Sequence, residues 1–158
     1  MEDDPLSSST RKGRDSPVKA EVEALARHRL SRAREAVAEG EHLFAKDAFM
    51  GAVNRFYYGA FYAARALLAI RQVDSSKHSG VISLFQKHFV KTGLVGVDRA
   101  KALPRAFEKR QKSDYGDFAA VTQEEAEAVR EEVRAFVEEC ARVLERLITQ
   151  KQPRSKRG

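Results

Sequence analysis

The chain has no tryptophan, one cysteine and four prolines in 158 residues, and each scarcity closes a route. A lone Cys140 forbids an internal disulfide and any cysteine-built metal cluster. It falls in the apolar stripe of the last expected helix, so a buried, inert thiol is expected there. No uninterrupted apolar run reaches the ~18 residues of a membrane span. The N-terminus also lacks the apolar stretch of a signal peptide, so a cytoplasmic protein without membrane contact is expected. The histidines, His28, His42, His78 and His88, are scattered without a His-Glu-x-x-His pattern. An acidic calcium loop, a phosphate-cradling glycine loop and a nucleophile elbow are missing too. No metal and no cofactor is therefore expected, and strand alternation and internal repeats are absent.

What is present is charge and helical rhythm. The net charge of +6 suggests nucleic acid until it is located. Residues 1–20 balance, and Lys151, Arg154, Lys156 and Arg157 carry four of the six charges, leaving two for everything between. The folded part is thus not strongly basic. The tail is a source of weak, salt-sensitive attraction to RNA or DNA, or simply a solubilising end.

Length and composition fit one all-α domain. Residues 1–17, rich in Ser, Gly, Pro and charge, are expected to be disordered, and 150–158 to form a disordered basic tail. Between them, residues 18–149 predict an up-and-down antiparallel bundle of four to five helices. The first helix runs from about Val18 to Ala45, with a break possible at Gly40. After a turn at Lys46-Asp47 the second lasts to about Arg71. Ser75 or Ser76 caps a third, which Thr92-Gly93 closes. A fourth covers roughly Val97 to Lys112, with a kink or restart at Pro104. Ser113 to Phe118 reads as a loop, and Thr122-Gln123-Glu124-Glu125 is a capping box opening a long final helix.

The second helix carries the sharpest signal. Phe49, Ala52, Val53, Phe56, Tyr57, Ala60, Ala64, Leu67 and Leu68 share one broad apolar face. Asn54, Tyr58, Tyr62 and Arg65, with Gly51 between them, take the opposite side, where a surface helix would place Glu and Lys. Something covers that side: another helix of the chain, a second subunit or a ligand. A second candidate is the segment from Arg110 to Gly116. Arg110 could grip a phosphate bidentately, Asp114 orient it, and Tyr115 stack or donate a bond; alternatively Asp114 merely pairs with Arg110 while Tyr115 packs on the bundle. His78, at the start of the third helix, is either a helix-end residue bonded to a neighbouring loop or part of this site.

Taken together these residues resemble the HEPN family of small helical proteins. The resemblance spans about residues 25–148. It rests on Ala52-Val53-Asn54-Arg55-Phe56-Tyr57-Tyr58 with Phe61, Ala64 and Ala66-Leu67-Leu68, then Lys77-His78-Ser79-Gly80-Val81-Ile82-Ser83-Leu84-Phe85, then Arg110-Gln111-Lys112-Ser113-Asp114-Tyr115. It implies a helical bundle that forms a homodimer, often paired with a minimal nucleotidyltransferase, the HEPN protein being the toxin and its partner the antitoxin. Active members of the family are metal-independent ribonucleases built on an Arg followed four to six residues later by His, and in some a following Tyr receives AMP.

Here Arg110 matches the Arg, but Tyr115 stands where His would, and Asp117 fills the Tyr position. A His near ~6.5 exchanges protons at neutral pH, whereas Tyr near ~10 and Asp near ~3.9 need large shifts to do so. The expectation is therefore binding of RNA or a nucleotide through Arg110, Asp114 and Tyr115, with Asn54, Tyr58, Arg65 and His78 in support, ahead of catalysis. Two alternatives stand beside it: a metal-independent endoribonuclease in which Asp114 or Tyr115 replaces His, and a non-catalytic adaptor or dimerisation module.

Overall fold

The structure, a computed structural model, describes residues 15–114 and 120–150. The expectations for the N-terminal segment up to residue 14, for Tyr115 to Phe118 and for the tail from Lys151 lie outside them. Among the described residues six α-helices follow in order: α1 (Asp15–Ala45), α2 (Phe49–Ile70), α3 (His78–Phe85), α4 (Val97–Ala100), α5 (Ala102–Asp114) and α6 (Gln123–Gln150). Among the described residues no helix is long and apolar enough to cross a membrane.

Helix α2 is the hub, packing against α1, α3, α5 and α6. Its sequence explains this position. Ala52, Ala60, Ala63, Ala64 and Ala66 keep the backbone accessible to neighbours, while Phe56, Leu67 and Leu68 fill the space between them, all essentially unexposed. Facing α2, helix α6 contributes Val133, Phe136, Cys140 and Leu144 to the same core. Burial raises the Cys140 thiol well above its ordinary value, with Glu139 adding to the shift, so it stays protonated and unreactive.

Ion pairs record how α1 and α6 run. Arg27 meets Glu145, Arg34 meets Glu138, and Glu41 takes Arg130 and Arg134. As one partner's number climbs the other's falls, which only antiparallel helices allow. These pairs are mostly exposed and each contributes little to stability; their value lies in register.

The helix ends follow local chemistry, with corrections to the sequence reading. Helix α1 begins at Asp15 rather than Val18 and runs unbroken through Gly40. Gly40 is required by close approach: a Cβ there would stand 2.6 Å from Cε1 of Phe56. Asp47, at φ 61°, closes α1, its N–H bonding to Phe44 O at 3.0 Å and that of Ala48 to Leu43 O at 2.9 Å. Gln72, at φ 56°, closes α2 in the same way, with Val73 N–H reaching Leu68 O. The residue before α3 is Lys77, without a side-chain cap. Ser75 instead accepts the Lys77 N–H in a turn, so neither predicted serine caps the helix. The restart near Pro104 is real: the chain breaks at Lys101 and α5 resumes at Ala102. Ser113 and Asp114 belong to α5, not to a loop. The capping box forms in both directions, Thr122 Oγ1 accepting from Glu125 N–H and Glu125 accepting from Thr122 N–H, each at 3.0 Å.

One element has no counterpart in the sequence reading. From Gln86 to Val90 the third helix widens into a π turn, with Lys91 N–H bonded to Gln86 O five residues back. In an α-helix a four-residue step overshoots a full turn by about 40°. The wider turn makes the next four-residue step fall short. Val81, Phe85 and Phe89 therefore line up against the core, all buried. Gly93, at φ 80°, then closes the segment, its N–H on Val90 O.

Candidate functional site

Helices α2, α3 and α5 converge on one cluster of rings. From α2 come Tyr57, fully buried, with Tyr58 half-buried beside it and Phe61 one turn on. From α3 comes His78, its first residue, and from α5 come Phe107 and, a turn later, Arg110. The loop ahead of His78 is braced from outside. Asp74 accepts from Arg65 Nη2 at 2.8 Å, from Arg29 Nη2 at 3.3 Å and from the Ser75 N–H at 2.8 Å. Burial works to raise the Asp74 carboxyl, but these bonds and the arginine charges together outweigh it and hold the group below its ordinary value.

Imidazole and guanidinium approach the same tyrosines. The His78 ring stacks on Phe61 at 4.6 Å and 17°, with Phe107 at 5.9 Å, Tyr57 at 5.6 Å and Tyr58 at 5.9 Å. Arg110 lays its Cζ 5.3 Å from the centroids of both Tyr57 and Tyr58, within cation–π range. The Arg110 side chain is 21 % exposed, yet its Nε is buried and has no hydrogen-bond partner among the described residues. Asp114 Oδ2 lies 3.7 Å away, an ion pair too long for a hydrogen bond.

Tyr57 hydroxyl and His78 Nδ1 are 2.5 Å apart. Burial, opposed by Arg110 and reinforced by Tyr58, drives the Tyr57 pKa far upward, so the phenol keeps its proton. No other acceptor for that proton stands among the described residues, so Tyr57 donates and Nδ1 accepts. The His78 proton then sits on Nε2, an assignment made from the bonding network.

Burial, and after it the Arg110 charge, lowers the His78 pKa from its ordinary 6.5. Keeping this imidazole neutral thus favours the folded state fully above pH 6.5, and the contribution is lost as pH falls from there through the folded value. An imidazole titration by nitrogen-15 NMR should give a His78 pKa under 6.5, moving upward in Arg110→Ala. No movement in that variant would mean the two charges do not sense one another.

The fold thus gathers Arg110, Asp114, Tyr58 and His78 in one place. Asn54 lies on the same side of α2 as Tyr58, one turn earlier and half-buried. Arg65 is drawn elsewhere, to Asp74, although its Cζ also lies 5.8 Å from the far member of the cluster, Phe61. Tyr115 is outside the described residues. The side of α2 opposite its apolar face is partly covered by the chain's own helices: Arg32 of α1 donates to the Tyr62 hydroxyl at 3.1 Å, and Arg110 of α5 covers Tyr58. A hollow of about 870 Å³ opens beside Phe107, lined also by Ile82, Gln86, Lys87, Lys91 and Pro104 but not by Arg110. Among the described residues no group of three or more His, Cys, Asp or Glu gathers as a metal site would.

Tyr57 escaped the sequence reading as a site residue because it falls on the apolar face of α2, and Phe61 and Phe107 were given no site role either. A signal existed for Tyr57: a phenol at the centre of an apolar face needs a buried acceptor.

The chain is also similar in sequence to known proteins. The chain is 35% identical over 116 residues to a UPF0332 protein of Thermotoga maritima, covering 73% of this chain and 88% of that one. It is 31% identical over 126 residues to a candidate toxin of Methanocaldococcus jannaschii, covering 80% of this chain and 83% of the relative. A second candidate toxin of the same organism is 30% identical over 131 residues, 83% of this chain and 94% of that protein. A family model described as the HEPN domain matches residues 26–145, which takes in all three segments that converge on the ring cluster, and the chain belongs to that family.

Proposed function

We propose that this chain is a toxin-like HEPN protein of the cytoplasm that binds RNA or a nucleotide at Arg110. The observation that carries the reading is the buried Arg110 Nε, a charged donor with no hydrogen-bond partner among the described residues, held over two tyrosine rings. An unmade bond from a buried cationic donor is expensive, and an anion settling there would supply the missing acceptor. Asp114, at 3.7 Å, orients the guanidinium without satisfying it. Tyr115 follows directly in sequence as a stacking group or donor, Tyr58 lies under the guanidinium, and Asn54 stands one turn before it on the same side of α2.

The relatives named as candidate toxins support the toxin-like role. The family resemblance supports a homodimer, and a minimal nucleotidyltransferase as antitoxin. Binding stands ahead of cleavage because Tyr115 occupies the place of the family's catalytic His.

Arg110→Ala should weaken binding of single-stranded RNA or AMP at least tenfold, about 1.4 kcal/mol or more, as expected for a charged hydrogen-bonding group. Fluorescence anisotropy or calorimetry on purified protein reads this directly, and unchanged affinity would refute the assignment. Total RNA incubated in excess chelator should stay intact. Cleavage that vanishes in Arg110→Ala would establish the ribonuclease instead.

A further inference from the structure

The imidazole beside Arg110 is more constrained than an ordinary half-buried histidine. Its plane is set by stacking on Phe61 and by Phe107 beyond. Its Nδ1 is occupied by the hydroxyl of Tyr57, which is wholly buried and held on the central helix. That leaves Nε2 as the one imidazole nitrogen without a partner among the described residues. Arg110 approaches the same two tyrosines, so a cationic donor and a neutral donor flank one aromatic platform.

We propose that His78 and Arg110 together hold a single phosphoryl group, His78 donating from Nε2–H and Arg110 from its guanidinium, with Tyr57 as the positioning residue that fixes the imidazole tautomer. The inference rests on the reading of Arg110 as an anion-binding group and adds two residues and a chemical role to it. It also favours holding over cleaving. An imidazole that accepts at Nδ1 and is protonated at Nε2 has no free lone pair, so it cannot take a proton from a ribose hydroxyl. Used this way, His78 is a hydrogen-bond donor for a phosphate oxygen and not a general base.

The shared ligand chemistry is a phosphate ester, from either a free nucleotide or a polynucleotide. The experiment uses the full chain, with inorganic phosphate, AMP and a short single-stranded oligoribonucleotide as probes, and the variants His78→Phe, His78→Gln, Tyr57→Phe and Arg110→Ala. Circular dichroism first establishes that each is folded. His78→Phe keeps a ring in the stack but removes the donor, and should weaken AMP or oligonucleotide binding about tenfold. His78→Gln restores an N–H donor and should recover part of that loss. Nitrogen-15 spectra of the wild type should show the Nε2–H tautomer, and Tyr57→Phe should show a mixture together with weaker binding.

Binding of AMP alone assigns a free nucleotide, binding of the oligonucleotide alone assigns a polynucleotide, and either supports the site. If His78→Phe binds like the wild type while Arg110→Ala does not, the His78 role is wrong and the Arg110 reading survives. A wild-type Nδ1–H tautomer overturns the inference as well. Should neither AMP nor oligonucleotide bind, both readings fall.

Discussion

Replacing Phe136 by alanine should lower the unfolding free energy by about 3–5 kcal/mol, the range for emptying a large aromatic site in a packed core. Phe136 is unexposed and belongs to the core that α6 shares with the hub helix. Its ring meets Phe85 edge-on at 5.5 Å, and Phe85 stacks on Phe89 at another 5.5 Å. The substitution therefore removes both the buried apolar area and an aromatic contact, where α6 meets the third helix and its π turn. Urea denaturation of wild type and variant measures the difference. A loss under about 1 kcal/mol would show that the neighbours collapse into the space and that the packing is looser than described.

Gly40→Val should cost about 2–3 kcal/mol, as overpacking of a filled interior does. The sign is not obvious in advance, because glycine inside a helix is itself unfavourable by about 1 kcal/mol relative to alanine. The geometry decides it. A Cβ at this position would lie 2.6 and 2.7 Å from two carbons of the Phe56 ring, and Phe56 is completely buried with nowhere to swing. Gly40→Ala should also destabilise, though less, and thermal unfolding of the pair gives the comparison. A stabilised alanine variant would mean that α1 and α2 are free to part at this point.

Much of the architecture was legible in the sequence for a local reason. The stripes of α1, α2 and α6, the Thr122–Glu125 capping box, the restart near Pro104 and the glycine closing at Gly93 are all decided within a few residues of chain. What was not legible depends on closure between distant segments. Tyr57, His78 and Arg110 are separated by 21 and 32 positions, and nothing in their local patterns places one against another. Arg65 was grouped with the site because it shares a helix side with Tyr58, but the braced loop at Asp74 claims it instead. The helix ends after Ala45 and near Arg71 were legible, but the left-handed backbone at Asp47 and Gln72 was hidden because neither position is glycine. The π turn was hidden too, since Val81, Phe85 and Phe89 are spaced like any inward α-helical row.

That turn holds one residue more in the segment Gln86–Val90 than an ordinary helical turn would need. Losing one residue there would let the backbone relax into ordinary i−4 bonding. Everything beyond it would keep nearly its present facing, because five residues in the wide turn sweep about the angle that four sweep in an α-helix. Chains related to this one should therefore exchange side chains freely among Gln86, Lys87 and His88, which are exposed or half-buried, and tolerate one residue fewer between Phe85 and Gly93.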